Sequence, residues 1–220
     1  MSAKPDTDAL ISALAAQARP VQRLAAPWRR ALLFLAGALL VVAVIVTIEG
    51  ARPDLPMVMA MPGRRLEWLA SLATGVLATF SAFHLAVPGR SALWALLPVP
   101  AAVLWLGALG YGMAMDVQMM GMAEGMAWRT SWGCFKAIVL SAAPMAAWLL
   151  VLLRFADAAR PGPTASYGVL AVAALSAAGL SLYHELETAF MVLIWHVGTI
   201  ALLVAVALMG NRRIFRLVNR

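Results

Sequence analysis

The chain has 220 residues, 63% of them hydrophobic and only 12% charged, with a formal charge of +7. A soluble domain is nearer half apolar and a quarter charged, and one this small has too much surface to hide the excess, so composition excludes a water-soluble globule and points to lipid. The single cysteine, Cys134, excludes an intramolecular disulfide and CxxC redox chemistry.

The first element in chain order is a short leader helix. Residues 8–18 read DALISALAAQA, with Leu10, Ile11, Leu14 and Ala18 on one helical face. Thr7 is the expected N-cap and Pro20 the expected stop. A helix of about eleven residues is marginal alone in water, so it should dock on the membrane surface or on a partner. Arg19, Arg23, Arg29 and Arg30 follow it.

A membrane-spanning helix needs about 20 mostly apolar residues. Six runs qualify, at 31–48, 66–87, 92–111, 135–153, 165–183 and 189–209. The first starts too late and runs too long for a signal peptide. Pro98 and Pro100 should kink the third span and Pro144 the fourth. Pro88-Gly89-Arg90 and Arg160-Pro161-Gly162-Pro163 mark turns, and two longer connections remain at 49–65 and 112–133. The expected fold is therefore all-α: a six-transmembrane-helix bundle with a short cytoplasmic amphipathic helix. Its domains are a leader at 1–30, a membrane domain at 31–210 and a basic tail at 211–220.

Lysine and arginine set the orientation. Lys4, Arg19, Arg23, Arg29, Arg30, Arg90, Arg154, Arg160, Arg212, Arg213, Arg216 and Arg220 fall on one side. Arg52, Arg64, Arg65, Arg129 and Lys136 fall on the other. This places both termini in the cytoplasm. Trp28, Trp68, Trp94, Trp128 and Trp132 sit near span ends, as interfacial anchors do. Glu67 and Lys136, near span ends, are expected to snorkel.

Few residues could carry chemistry. Cys134 at the outer end of span four, His184 at the outer end of span five and His196 in span six are soft or borderline metal ligands at similar depth. Against that stand the ordinary roles of such residues, a lone Cys as a small hydrophobe and a His as an interhelical hydrogen-bonder. Nine of the 13 methionines lie in the two outer connections, at 57, 59, 61, 113, 115, 119, 120, 122 and 126. These are copper(I) thioethers or adaptable apolar filler. His84 lies near the inner end of span two, so paired histidines for haem are not in prospect, and no cofactor is expected. No P-loop, GxGxxG, HExxH or Ser-His-Asp order supports an enzyme. No zinc-finger spacing or RNA-binding signature supports direct nucleic-acid contact.

Several segments together carry a family likeness. In the leader these are Asp8, Leu10-Ile11, Leu14-Ala15, Pro20-Val21, Arg23-Leu24, Pro27 and Arg30. Then come Arg52-Pro53-Asp54-Leu55, Leu72-Ala73-Thr74-Gly75, Pro88-Gly89-Arg90 and Trp94-Ala95-Leu96-Leu97-Pro98. Ser131-Trp132-Gly133-Cys134 opens span four, Gly179-Leu180-Ser181-Leu182-Tyr183-His184 closes span five, and Leu193-Ile194-Trp195-His196-Val197-Gly198 lies in span six. In this order the segments resemble the NrsF family of bacterial inner-membrane anti-sigma factors. The resemblance implies a multi-pass inner-membrane protein that holds an extracytoplasmic-function sigma factor inactive on the cytoplasmic side until metal, oxidative or envelope stress relieves inhibition. It implies that Asp8, Leu10, Ile11, Leu14, Pro20, Val21, Arg23 and Leu24 form the partner-binding segment. The family commonly has two cysteines, at the start of span four and near the end of span five. This chain has Cys134 and, at the second position, Ser181, so sensing would fall to Cys134 with Ser181, His184 and His196 around it. The competing readings are a small metal or solute transporter and a structural subunit of a membrane complex.

Overall fold

The computed structural model describes residues 6–17, 25–125, 132–153, 160–184 and 189–192, with backbone alone at 132–135, 189 and 192. In chain order the helices are α1 (Thr7–Gln17), α2 (Pro27–Glu49), α3 (Leu55–Ala60), α4 (Pro62–Leu85), α5 (Val99–Met120), α6 (Met122–Gly125), α7 (Trp132–Leu153), α8 (Pro161–Tyr183) and α9 (Ala189–Val192), with a 3-10 turn at Ala92–Leu96 before α5. Among the described residues there is no strand. Among the described residues, five segments are long and apolar enough to cross a membrane: Pro27–Glu49, Pro62–Leu85, Ala92–Met120, Lys136–Leu153 and Pro161–Tyr183. The sixth run expected from the sequence begins at α9 and otherwise lies outside the described residues, as do Pro20, Val21, Arg23, Leu24 and His196.

Proline sets where these helices begin. Pro27 and Pro62 occupy first-turn positions, where the missing N–H costs nothing. Pro98 and Pro100 do the same for α5, and this corrects the expected kink in span three. The 3-10 turn ends at Pro98, and a fresh helix starts at Val99 and runs on to Met120. Met113, Met115, Met119 and Met120, expected in a loop, therefore lie on α5. Gly50 and Gly121 close α2 and α5 with φ of 84° and 80°, a backbone that side chains with a Cβ rarely adopt.

α2 shows how the sequence chooses its faces. Pro27, Arg30, Ala31, Phe34, Ala38 and Ile45 form a buried stripe at helical spacing, while Leu32, Leu33, Leu39, Leu40, Val44 and Ile48 are exposed. A run of exposed leucines on this scale would be costly in water and is at home against acyl chains.

α4 and α8 form the centre and the most extensive helix pair. Lipid supplies no hydrophobic push between helices, so close packing must hold them, and small residues permit it. α4 contributes Ala70, Ser71, Thr74, Gly75, Ala78 and Thr79 to its buried side, and α8 contributes Gly168, Ala171, Ala174, Ala178 and Gly179. A Cβ at Gly75 would lie 2.6 Å from Leu175 Cγ, and one at Gly179 would lie 2.7 Å from Val42 Cγ2. The seam's hydroxyls bond their own helix: Thr74 Oγ1 donates to Ala70 O at 2.7 Å and Thr79 Oγ1 to Gly75 O at 2.8 Å. Around the seam, Phe34, Phe83, Met145, Leu149 and Leu153 join α2, α4, α7 and α8, while Trp105 and Leu109 join α5 to it.

The spans alternate in direction, so the bundle has two ends. The leader end holds the starts of α2, α5 and α8 with the ends of α4 and α7. The loop end holds the reverse. α9 packs on α5.

Candidate functional site

Nothing described covers the leader helix α1. Every residue of Thr7–Gln17 is exposed, including Leu10, Ile11 and Leu14 at 53%, 58% and 61%. Its cap is one residue earlier than expected: Asp6 Oδ1 accepts from the Asp8 N–H at 3.2 Å, Asp6 O accepts from the Leu10 N–H at 3.0 Å, and Thr7 is already helical. Asp8 adds a carboxylate in the first turn, favourable against the helix dipole. Leu10, Ile11 and Leu14 share a side, but Thr7 and Gln17 flank it, so the polar and apolar faces divide only shallowly.

At the loop end, the first connection is clipped to α8. Arg52, buried to 7% at its side chain, makes a two-pronged ion pair with Asp54 at 2.6 and 2.7 Å. Its backbone N–H donates to Leu182 O at 3.0 Å and its Nη1 to His184 O at 3.4 Å. The bonded Arg52 guanidinium holds the Asp54 carboxyl below the usual carboxylate range. Arg64 reaches Glu67 at 3.4 Å and Asp116 at 3.8 Å, joining the start of α4 to the end of α5. Glu67 is buried to 8%, so it pairs inside the bundle and does not snorkel.

Cys134 lies in the first turn of α7, and Ser181 and His184 close α8. Tyr183 connects these helices, its hydroxyl donating to Ala137 O at 3.1 Å, about one turn along α7 from Cys134. Ser181 is buried and donates to Ala178 O at 2.9 Å. The same carbonyl accepts Trp68 Nε1 at 3.0 Å, which ties α4 in. His184 is half-buried and its N–H bonds Leu180 O at 2.9 Å. Among the described residues no group of three or more His, Cys, Asp or Glu could hold a metal ion. Of the exposed methionines, Met57 and Met61 precede α4, and Met119, Met120 and Met122 end α5 and begin α6.

At the leader end, Arg30 Nη2 donates to Leu152 O near the end of α7, and its guanidinium lies 5.2 Å from the Phe83 ring centroid on α4. Arg30, in the first turn of α2, is thus fastened to α7 and α4. Sequence reasoning missed Arg30, Arg52 and Tyr183 as joints. Each works through a distant backbone carbonyl, and a carbonyl carries no residue identity to read.

Five long apolar helices packed through small residues, with an uncovered helix ahead of them, define the class: an all-helical protein built to span a membrane. The family model described as NrsF, negative regulator of sigma F, matches residues 14–217. The chain belongs to this family, and its function is negative regulation of a sigma factor. No curated relative and no solved structure matches the chain.

Proposed function

We propose that the chain is a membrane-embedded anti-sigma factor that sequesters an extracytoplasmic-function sigma factor at the bacterial inner membrane and releases it on metal, oxidative or envelope stress. The observation that carries this reading is α1: a capped helix with three large apolar side chains and no described partner, in a chain of the NrsF family. An isolated helix of this length is marginal, and filling a groove on a soluble protein supplies the missing burial. In this reading Asp8, Leu10, Ile11, Leu14, Pro20, Val21, Arg23 and Leu24 contact the sigma factor, and the excess of Lys and Arg puts them in the cytoplasm. The leader at 1–30, the membrane domain at 31–210 and the tail at 211–220 then divide binding from sensing.

The loop end, on the outer side, receives the signal. Cys134 is the reactive group, with Ser181, His184 and His196 as neighbours or metal ligands. Reversing a 99:1 bound population takes about 5.5 kcal/mol of differential stabilisation, within reach of a metal–thiolate bond set. α7 links the two ends, with Cys134 in its first turn and Leu152 O, held by Arg30, near its last. Two variants test the reading in cells carrying a sigma-dependent reporter. Leu10→Glu with Leu14→Glu should raise uninduced transcription to the level of a deletion. Cys134→Ser should keep transcription low under the inducing stress. Normal repression in the first would remove α1 as the contact, and normal induction in the second would remove the cysteine as the sensor.

A further inference from the structure

Arg30 carries five N–H donors, is 6% exposed, and has one carbonyl and one aromatic face for company. Its Nη1 is buried without a hydrogen-bond partner among the described residues. The described acids do not answer it: Glu49, Asp54, Glu67, Asp116 and Glu124 lie toward the loop end, and Asp8 on α1 and Asp6 just before it are exposed. Arg30 thus has no counter-charge among the described residues, and a buried cation without one is costly at membrane depth. Thr164 Oγ1, in the first turn of α8 and wholly buried, is likewise without a partner. The two donors share one level. Gly168 of α8 meets Leu149 of α7, and these helices run antiparallel. One turn back from Gly168 is Thr164, and one turn on from Leu149 are Leu152 and Leu153, where Arg30 is bonded.

Trp28, 48% exposed, marks the interface two residues before Arg30, with the Arg29 guanidinium 5.2 Å from its ring centroid. Arg29, Arg90 and Arg160 are exposed at the same end. Buried, unpartnered donors at headgroup depth, with exposed arginines at the same end, suit a lipid phosphate, whose oxygens accept several donors and carry the charge that a carbonyl lacks. The flanking arginines disfavour a headgroup that brings its own ammonium. We propose that Arg30 and Thr164, between α2, α7 and α8, bind the phosphate of an anionic phospholipid, with Arg29, Arg90 and Arg160 adding positive charge at the same end. The lipid then pins the residue at which the leader enters the bundle.

The test uses the full chain purified in uncharged detergent, titrated with phosphatidylglycerol, phosphatidylcholine or inorganic phosphate. Retained lipid is read by native mass spectrometry and stability by thermal unfolding. Phosphatidylglycerol should bind and raise the melting temperature while the other two do neither. Arg30→Gln should weaken its binding about tenfold, the size expected for a charge-assisted hydrogen bond. Thr164→Val, nearly isosteric and safe for folding, should weaken it several-fold with lipid-free stability intact. Equal binding of phosphatidylcholine, replacement by free phosphate, or wild-type lipid binding in both variants would overturn the assignment. So would an Arg30→Gln protein that keeps the lipid and loses the sigma factor, since the counter-ion would then belong to the partner.

Discussion

The two ends of the bundle differ in how fully their described buried polar groups are partnered: the loop end leaves none open, the leader end three. At the loop end Arg52 has Asp54, Arg64 has Glu67 and Asp116, Trp68 and Ser181 share a carbonyl, and Tyr183 bonds α7. At the leader end Arg30 Nη1, His84 Nδ1 and Thr164 Oγ1 are each buried without a partner among the described residues, His84 being stacked on Trp94 at 3.7 Å. Buried polar groups are nearly always satisfied, so a cluster of exceptions needs an explanation. Among the described residues, the loop end satisfies its buried polar groups within the chain, whereas the leader end leaves three donors and acceptors open to something that joins it. That division suits the proposed regulator, in which the signal is received at the partnered end and the sigma-factor contact is made at the other.

The largest expected effect removes the comparison by breaking what both ends hang on. In Gly75→Leu the new side chain meets Leu175 from its Cβ outward, and overpacking of this kind costs about 3 kcal/mol. Thermal unfolding should show a lower midpoint, with amide protection lost at both ends together. Next is Arg52→Ala, which strips the loop clip of its charged hydrogen bonds, worth about 2 kcal/mol. Hydrogen exchange should quicken at residues 51–60 and 180–184 and stay unchanged at 27–34. Faster exchange at 27–34 would mean that the ends are one unit. Tyr183→Phe, costing about 1 kcal/mol, should loosen the first turns of α7 alone.

The smallest effect is acid sensitivity. Asp54 is held below its ordinary value, so its contribution is full above the usual carboxylate pKa and is lost as pH falls through the depressed one. The clip should therefore survive mild acid and open only in strong acid. Asp54→Asn should abolish that acid step in hydrogen exchange at residues 51–60, and an unchanged step would assign it elsewhere.

Much of the fold was legible because lipid simplifies the code. The five described spans declared themselves as apolar runs, whereas the buried stripe on α2 did not, because that run is apolar on every side and only packing selects Ala31, Phe34 and Ala38. The third span misled because Pro98 and Pro100 serve equally as a kink or as a start. The choice fell to the turn at Ala92–Leu96, held where Trp94 O accepts Ser81 Oγ at 2.7 Å and Ala95 O accepts Tyr167 OH at 2.6 Å. The leader's Leu10, Ile11 and Leu14 were legible as an apolar group without support. Asp6 as the true cap was not, since Asp6 and Thr7 are both good caps and the chain could start at either. The joints at Arg30, Arg52 and Tyr183 were illegible for a simpler reason: their partners are backbone atoms 122, 132 and 46 residues away.

The central claim is that the leader holds a sigma factor at the membrane. The most direct measurement is a pulldown from solubilised membranes of unstressed cells, comparing the intact chain with one lacking residues 1–25. The account predicts a sigma factor recovered with the intact chain and absent with the truncated one. Equal recovery with both would contradict it and move the contact to the other segments on the same face.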